Sequence, residues 1–232
     1  MNQDFRPSVL VYHVYVVNNW KKITDQLLSN VPHDDIYVSL SLDTGSIYQR
    51  WKALRYFQKN PKVKKVFISE NKQTLSEVNS LNIFREQVPL EQYKLLTYMH
   101  AKGVTKPKNK NIRDWVELMR YFLMDRYDLS VKAFQEGYSL YGVSLAVYHG
   151  KNERYGPDHL SDFHYSGNFL TVNLEQLAGK IKDTPVDNDY FGVEGYWGKL
   201  CTVDKAFCAH MSSDHISNHY KEPYPEHLYK KK

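Results

Sequence analysis

Three residues that could take part in binding a charged ligand lie within residues 100–103. His100 can donate a proton, hold a phosphate or bind a metal ion, and Lys102 can neutralise a phosphate as a point charge. Gly103 allows the backbone to approach a ligand closely. The alternative is an exposed strand end that happens to carry a histidine and a lysine. If this segment lies at a cleft, its residue types predict a site for an anion.

A second segment, residues 164–169 with the sequence HYSGNF, gathers hydrogen-bond donors and aromatic rings around a glycine. Aromatic rings of this kind stack on sugar rings, and amide groups bind sugar hydroxyls. The same segment would also suit a tight turn that leads into a strand. It therefore predicts either a sugar-facing surface or a turn.

Carboxylates provide the remaining candidates for chemistry. Glu194 stands among glycines and aromatic residues, a setting that suits a general base, although an ordinary helix surface also carries such residues. Asp187 and Asp189, separated by Asn188, have the spacing of an acidic motif that binds divalent cations through hard oxygen ligands. The alternative for them is a solvated loop.

The elements that would position these residues follow from the hydrophobic pattern. Apolar, β-branched runs predict strands and apolar residues at helical spacing predict helices, with Thr74 as a possible N-cap. The predicted strands cover 9–17, 36–42, 63–69 and 93–99, and the helices between them cover 20–28, 47–57 and 74–85. This alternation is typical of a parallel sheet with helices on both faces.

In such sheets, ligands bind beyond the carboxyl ends of the strands. The polar residues at these ends are therefore the ones we expect at a site. They are His13, Asn18, Asn19, Asp43, Thr44, Glu70, Asn71, His100 and Lys102.

The second half of the chain is predicted in less regular pieces. They are a loop at 103–111, a helix at 112–135, a strand at 138–148, a polar loop at 149–162, a strand at 168–172 and helices at 174–181 and 193–200. Residues 206–232 are expected to form an irregular tail packed on the domain. No internal repeat or linker divides the sequence, so we expect one domain over 1–232, which could be part of a longer polypeptide.

Composition narrows the class of protein. The 232 residues are 42% hydrophobic and 25% charged, which fits a globular protein and excludes a disordered tail, a collagen-like repeat or a disulfide-stapled mini-protein. Tyrosine is unusually frequent, with 19 residues. Because tyrosine has an apolar body and a polar tip, this excess indicates either an aromatic-lined cleft or a compositional habit.

Charge and cysteine content predict partners and location. The net charge of +5 is mild, and the basic residues are spread out apart from 102–110 and 230–232, so no nucleic-acid partner is predicted. Cys201 and Cys208 form no disulfide framework, which favours reduced thiols. No signal sequence and no transmembrane run of about 20 apolar residues is present. We expect the protein in a cytoplasm, or on the cytoplasmic side of a membrane.

Taken together, several segments resemble small glycosyltransferases of bacterial surface-polysaccharide clusters and of large DNA viruses, including the enzymes that glycosylate the major capsid protein of chlorella viruses. The similarity runs in order along nearly the whole chain. The matching positions are Tyr12, His13, Tyr15, Asn19 and Trp20; residues 76–81; residues 98–105, with Ala101 where the family has Thr; Asp114, Trp115 and Met119; residues 164–169; Val193, Glu194 and Trp197; and His219, Tyr220 and Tyr224.

This resemblance implies a single GT-A-like α/β domain with a mostly parallel sheet flanked by helices. It also implies a nucleotide-diphosphate sugar as donor, such as UDP-glucose or UDP-rhamnose, a glycan or glycoprotein as acceptor, and Mn²⁺ or Mg²⁺ as cofactor. A cation is needed because the leaving diphosphate concentrates negative charge.

The resemblance also suggests roles for individual residues. Glu77 and Asn79 would bind the metal, and Glu194 or Asp189 would act as base if transfer inverts the anomeric centre. His100, Lys102 and Gly103 would lie on the diphosphate side. The nucleoside would lie near Tyr12, His13, Asn19, Glu70 and Asn71, and the sugar or acceptor near Trp115, Tyr165, Gly167 and Asn168.

Two other functions are compatible with the sequence. One is a non-catalytic domain that binds a nucleotide sugar or a glycan. The other is an RNA-binding protein that uses lysine and tyrosine, which predicts steeply salt-dependent RNA binding.

Overall fold

A central sheet organises the protein. The computed structural model describes residues 5–148, 161–212 and 219–230. In this part of the chain the strands are Ser8–Tyr15 (β1), Asp35–Leu42 (β2), Val63–Glu70 (β3), Leu95–His100 (β4), Leu140–Gly142 (β5), Leu145–Val147 (β6), Phe163–Tyr165 (β7), Leu170–Asn173 (β8) and Ala206–Cys208 (β9).

Seven of these strands form the central sheet in the order β3-β2-β1-β4-β8-β5-β9. β1 pairs in parallel with β2 and β4, and β2 pairs in parallel with β3. β8 is antiparallel to both of its neighbours, β4 and β5, while β9 pairs in parallel with β5. β6 and β7 form a separate antiparallel pair. The carboxyl ends of β1, β2, β3 and β4 therefore meet at one edge.

Helices cover both faces of the sheet. Their bounds are Trp20–Leu27 (α1), Ile47–Phe57 (α2), Val78–Gln87 (α3), Lys110–Arg120 (α4), Tyr127–Gln135 (α5), Leu174–Asp183 (α6) and Gly192–Tyr196 (α7).

Strand β1 shows why the sheet is sandwiched. Leu10, Tyr12 and Val14 pack into a core shared with α1, α2, α4 and α5. Val9 and Val11, which point to the opposite side, pack into a core shared with α3, α6 and α7. A strand that is apolar on both sides is buried on both faces. The predicted fold class, a mostly parallel α/β sheet flanked by helices, is confirmed.

The start of α3 differs from the prediction. The helix begins at Val78, four residues after the proposed cap Thr74. Ser76 has a positive φ of 48°, and this left-handed conformation cannot continue a right-handed helix. Glu77 therefore stands just before the helix, and its side chain turns inward to the sheet.

The single helix predicted over 112–135 is interrupted. A π-helical turn at Tyr121–Asp125 separates α4 from α5. The buried Arg120 donates hydrogen bonds to the carbonyls of Gln26 and Ser29 and to Asp125. A buried guanidinium needs such acceptors, and the irregular turn supplies one of them.

Two further segments, residues 138–148 and 206–208, differ from the prediction. The strand predicted over 138–148 is divided into β5 and β6 at Ser144, which has a positive φ of 53°. Residues Ala206–Cys208, which the sequence assigned to an irregular tail, add β9 to the sheet. Residues 149–160 of the predicted polar loop lie outside the described residues.

Among the residues that the structure describes, no helix has the length and apolar character that crossing a bilayer would require.

Candidate functional site

The carboxyl ends of β1, β2 and β3 carry a hydrogen-bonded polar edge. The Tyr15 hydroxyl donates to both carboxylate oxygens of Asp43, at 3.0 and 2.9 Å, and Asn71 Nδ2 donates to Asp43 Oδ1 at 3.0 Å. Thr44 donates to Glu70 Oε1 at 2.6 Å. The predicted edge residues Glu70 and Asn71 thus lie together, with Tyr15 as an additional member.

Tyr12 does not belong to this edge. Its side chain is fully buried, and its hydroxyl lies 3.1 Å from Thr24 Oγ1 on α1. Residues alternate between the two faces of a strand, and position 12 points into the α1 side of the core. The structure therefore makes Tyr12 a core residue rather than a nucleoside contact.

His13 lies just beneath the edge. Its Nδ1 is 2.6 Å from Ser80 Oγ, which is itself 2.9 Å from Ser39 Oγ. Burial lowers the pKa of His13 to about 4, so the ring is neutral at physiological pH. His13 therefore orders the base of the site instead of adding charge to it.

Glu77 is the centre of a cluster of largely buried polar side chains, which we call the Glu77 cluster. Its carboxylate accepts hydrogen bonds from Tyr98 Oη and from Asn168 Nδ2, each at 3.0 Å, and lies 2.8 Å from His100 Nδ1. Trp197 Nε1 donates to Asn168 Oδ1 at 3.1 Å. Segments far apart in the sequence therefore meet around one carboxylate.

His100 lies between two hydrogen-bond acceptors. Nδ1 faces the Glu77 carboxylate, and Nε2 lies 3.1 Å from the Gly167 carbonyl oxygen. Both partners accept hydrogen bonds, so His100 links the Glu77 carboxylate to the backbone of residues 164–169. Burial on its own would raise the pKa of Glu77, but the charge and hydrogen bond of His100 outweigh it and hold that pKa well below its ordinary value.

The backbone around this cluster is unusual at two predicted positions. Gly167 and Asn168 have positive φ angles of 93° and 58°. A Cβ on Gly167 would lie 2.5 Å from Met119 Sδ and 2.9 Å from the ring of Trp115, so only glycine fits there. This close approach aims the Gly167 carbonyl at His100 and the Asn168 amide at Glu77.

A divalent metal does not fit the predicted ligands as they are arranged. Both oxygens of Glu77 already accept hydrogen bonds, and Asn79 lies within the first turn of α3. Within residues 5–148, 161–212 and 219–230, no three His, Cys, Asp or Glu side chains are grouped so that they could hold a metal ion. We therefore assign no step to a metal.

Lys102 and Gly103 open onto a cavity of about 70 Å³ between α1, α4 and the loop after β4. We call it the cationic cavity, because its lining within the described chain includes four cations and no carboxylate. The lining residues are Asn19, Lys22, Ile23, Gln26, Lys102, Gly103, Lys106, Pro107, Asn109, Ile112, Arg113 and Val116.

Two predicted residues shape this cavity. Asn19 Oδ1 is buried and has no hydrogen-bond partner. Gly103 has a φ of 91°, and a Cβ there would approach Ile112 Cγ2 to 2.9 Å. Lys22, Lys106 and Arg113 were not predicted as site residues. They stand on three separate segments, and only the fold brings them together.

Trp115 is placed beneath the cavity and is not an exposed sugar platform. It is buried, its ring stacks on His219 with centroids 5.0 Å apart, and Lys102 Nζ lies 4.0 Å from the ring centroid. A cation over an indole face is favourable, so Trp115 positions Lys102. Tyr165 is also buried, and its hydroxyl donates to the Phe207 carbonyl at 2.9 Å. It is a core residue and does not face an acceptor.

Glu194 lies on α7 beside a buried histidine. Glu194 Oε1 is 3.2 Å from His164 Nε2, and His164 Nδ1 is 2.5 Å from the Tyr148 hydroxyl. Asp189 is exposed, and its carboxylate accepts a hydrogen bond from the Phe191 amide at 2.8 Å. Asp189 therefore stabilises the turn that leads into α7, whereas the Glu194 carboxylate lies within ion-pair distance of His164.

Tyr190 lies in the neighbourhood of the Glu77 and Glu194 carboxylates. It is 60% exposed, and partial burial, Tyr220, Glu77 and Glu194 together raise its pKa. An exposed tyrosine therefore lies within electrostatic reach of both Glu77 and Glu194. Tyr190 was not among the predicted site residues.

The sequence matches no protein-family model and no curated protein. Among solved structures, it is similar to residues 1–349 of TarS from S. aureus, with a TM-score of 0.40 and 12% identity over 82% of this chain and 55% of that one.

It is also similar to TarS 1–349 in complex with UDP-GlcNAc, with a TM-score of 0.40 and 13% identity over 94% of this chain and 61% of that one. The chain thus spans less than two thirds of the length of these structures. At this level of similarity, the likeness carries no argument about activity.

Proposed function

We propose that this protein is a glycosyltransferase that uses a nucleotide-diphosphate sugar. The observation that carries the proposal is the cationic cavity beside the polar edge of a parallel sheet. In the described part of the chain the cavity is lined by four cations and no carboxylate, which suits a diphosphate. The carboxyl edge of a parallel sheet is where such folds bind nucleotides. The motif blocks that resemble small glycosyltransferases point to the same class, with a GT-A-like fold.

The polar edge suits the nucleoside half of the donor. Asp43 and Asn71 offer carboxylate and amide groups, which bind ribose hydroxyls and the edge of a pyrimidine base. The diphosphate would then extend toward Lys102 and Lys22, because β1 and β4 are neighbours in the sheet. A UDP-sugar such as UDP-glucose or UDP-rhamnose satisfies both halves.

Glu194 is the base that we propose for transfer with inversion. Its carboxylate takes the proton of an acceptor hydroxyl, and the hydroxyl oxygen forms a bond to the anomeric carbon. The bond between that carbon and the diphosphate oxygen breaks, and its electron pair leaves with the nucleoside diphosphate. The cations of the cavity stabilise the charge that develops on the leaving group. His164 keeps the Glu194 carboxylate oriented.

Mn²⁺ or Mg²⁺ stays a prediction that rests on the sequence resemblance alone, and no step of the proposed reaction is assigned to it. A glycan or glycoprotein acceptor and a cytoplasmic location likewise stay predictions.

The test is a panel of UDP-sugars, assayed by thermal shift and by release of UDP in the presence of glycan acceptors. A donor that binds only the folded protein raises its melting temperature. We expect Glu194→Gln to keep this shift while UDP release falls about 10²–10⁴-fold, the range typical of a lost general base. Glu136→Gln, which changes an exposed carboxylate beyond α5, is the matched control.

Two results would contradict the proposal. A thermal shift without any UDP release by the native protein would indicate a non-catalytic binding domain. Full activity of Glu194→Gln would remove Glu194 as the base.

A further inference from the structure

Helix α2 exposes large apolar side chains on its first turns. Ile47 is 79% exposed, Tyr48 is 67% exposed and Trp51 is 53% exposed. The rings of Tyr48 and Trp51 stack with centroids 6.5 Å apart, and the Arg55 guanidinium lies 4.8 Å from the Trp51 ring. The helix is anchored from its other side by the buried Ala53 and Phe57. Grouped exposed apolar side chains usually mark an interaction surface.

The same region carries an excess of positive charge. Residues 44–69 include seven Lys and Arg residues and no Asp or Glu, although the whole chain has a net charge of only +5. The cations are spaced by one to four residues, so they form no obvious basic run. Lys62 is used inside the fold, where its ammonium donates to the carbonyls of Val31 and His33. The cations of α2 point to solvent instead.

A groove of about 230 Å³ joins the apolar and cationic groups. It is lined by Trp20, Lys21, Trp51, Lys52, Arg55, Tyr56 and Lys59. We define the α2 surface by Ile47, Tyr48, Trp51, Lys52, Arg55 and Lys59, all of which are exposed.

We propose that the α2 surface docks on the headgroup region of an anionic lipid bilayer. Lysine and arginine side chains near such a surface are attracted by its negative potential. Tryptophan and tyrosine favour the interface between headgroups and acyl chains, where the ring is buried and the polar tip stays wet. The exposed aliphatic Ile47 can enter the apolar boundary beneath them.

Other partners fit this chemistry less well. A neutral glycan could stack on the aromatic rings, but it offers no negative charge to the four cations that line the groove in the described part of the chain. Single-stranded RNA would use the cations and the aromatic rings, but it offers no apolar layer for Ile47.

The position of α2 gives docking a consequence. The helix begins at Ile47, five residues after β2 ends at Leu42, so its exposed end lies at the carboxyl edge of the sheet. Asp43 of the polar edge is in that connection. A bilayer bound at the α2 surface would therefore face the edge that carries the candidate site.

Binding can be measured with the full chain and vesicles of phosphatidylglycerol in phosphatidylcholine, with pure phosphatidylcholine as reference. Trp51 provides an internal reporter, because the other tryptophans, Trp20, Trp115 and Trp197, are buried. We expect co-sedimentation with the anionic vesicles and a blue shift of the tryptophan emission. Trp51→Phe should abolish that blue shift.

Two variants separate the contributions to binding. Lys52→Gln with Arg55→Gln and Lys59→Gln removes three cations, and each should lower the partition coefficient about fivefold. Ile47→Ser with Tyr48→Ser removes apolar contacts and should lower binding at least about tenfold. The control, Lys132→Gln with Lys182→Gln and Lys205→Gln, removes the same charge from exposed sites on other elements and should bind like the native protein.

Several results would overturn the proposal. They are equal binding to neutral and anionic vesicles, full binding by the apolar variant, the same loss in the control as in the cation variant, or release from vesicles by single-stranded RNA at equal charge concentration. The proposal does not depend on the donor site. The UDP-sugar thermal shift of each variant, expected to be unchanged, keeps a failure here distinct from a failure of the glycosyltransferase proposal.

Discussion

The Glu77 cluster and the cationic cavity lie at the same edge of the sheet and differ in the kinds of charged and polar groups that line them. In the cluster, the Glu77 carboxylate is surrounded by donors from His100, Tyr98 and Asn168. In the cavity, Lys22, Lys102, Lys106 and Arg113 share a small volume, and the lining that the structure describes includes no carboxylate. The cluster is complete without a ligand, whereas the cavity gathers charge of one sign.

This difference separates two roles. A buried ion pair with its hydrogen bonds satisfied fixes the positions of the segments that contribute to it. Grouped cations repel one another and lower stability, a cost that a bound anion would offset. We therefore expect changes in the cluster to affect folding and changes in the cavity to affect ligand binding.

The largest expected effect is in the cluster. Glu77→Ala leaves His100, Tyr98 and Asn168 without the carboxylate that accepts their hydrogen bonds, and removal of one partner from such a largely buried group typically costs about 3–5 kcal/mol. Urea unfolding should show this loss in the free energy of unfolding. A loss below about 1 kcal/mol would mean that the cluster does not hold the fold together, and it would contradict the structural role assigned to the cluster.

The next effect is a loss of stability in acid. Burial lowers the pKa of His13 to about 4 and that of His33 to about 3, whereas unfolded histidine titrates near 6.5. The unfolded state therefore binds more protons below pH 6.5, and stability falls as the pH drops toward these values. For His13 the difference corresponds to roughly 3 kcal/mol.

Glu77 adds to this trend at lower pH. Its depressed pKa stabilises the fold above the ordinary value of 4.5, and that contribution is lost as the pH falls.

Thermal unfolding between pH 7 and 4 measures the slope of the melting temperature against pH. We expect His33→Gln to reduce it and His227→Gln, at an exposed position, to leave it unchanged. Equal slopes in both variants would contradict this explanation.

A smaller effect is expected in the cavity. Lys22→Gln or Arg113→Gln should weaken binding of a UDP-sugar about five- to tenfold each, as expected for a lost charge-assisted contact. The free energy of unfolding should stay the same or rise, because like charges are removed. Calorimetric titration and urea unfolding of the same samples test both parts, with Lys132→Gln as control. A stability loss without a change in affinity would reverse the assigned roles.

The smallest effect is expected from chelation. Since lysine and arginine line the cavity, EDTA should change the affinity for UDP by less than about tenfold. A titration of UDP with EDTA, and another with Mn²⁺, measures this. A larger dependence on Mn²⁺ would show that a metal ion also binds the diphosphate. The site would then contain a metal-binding region in addition to the cluster and the cavity.

Much of the fold was predictable from local patterns. Continuous apolar runs predicted β1 to β4, and helical spacing predicted α2 with its observed bounds, because these signals depend on neighbours in the sequence. The edge residues Glu70, Asn71, His100 and Lys102 followed from the parallel alternation. The start of α3 and the break after Arg120 were missed, since they depend on Ser76 and on carbonyl acceptors in α1 and just beyond its end.

Residue types and spacing were enough to identify the α/β sheet and the polar edge where chemistry was to be sought. They could not distinguish a site tyrosine from a core tyrosine, and Tyr12 and Tyr165 turned out to be buried. Only tertiary packing brought Glu77 to His100 and Asn168, and Lys22 to Lys102 and Arg113. Hydrophobic periodicity is a local property of the chain, whereas the partner of a buried charge is chosen by contacts between segments far apart in sequence.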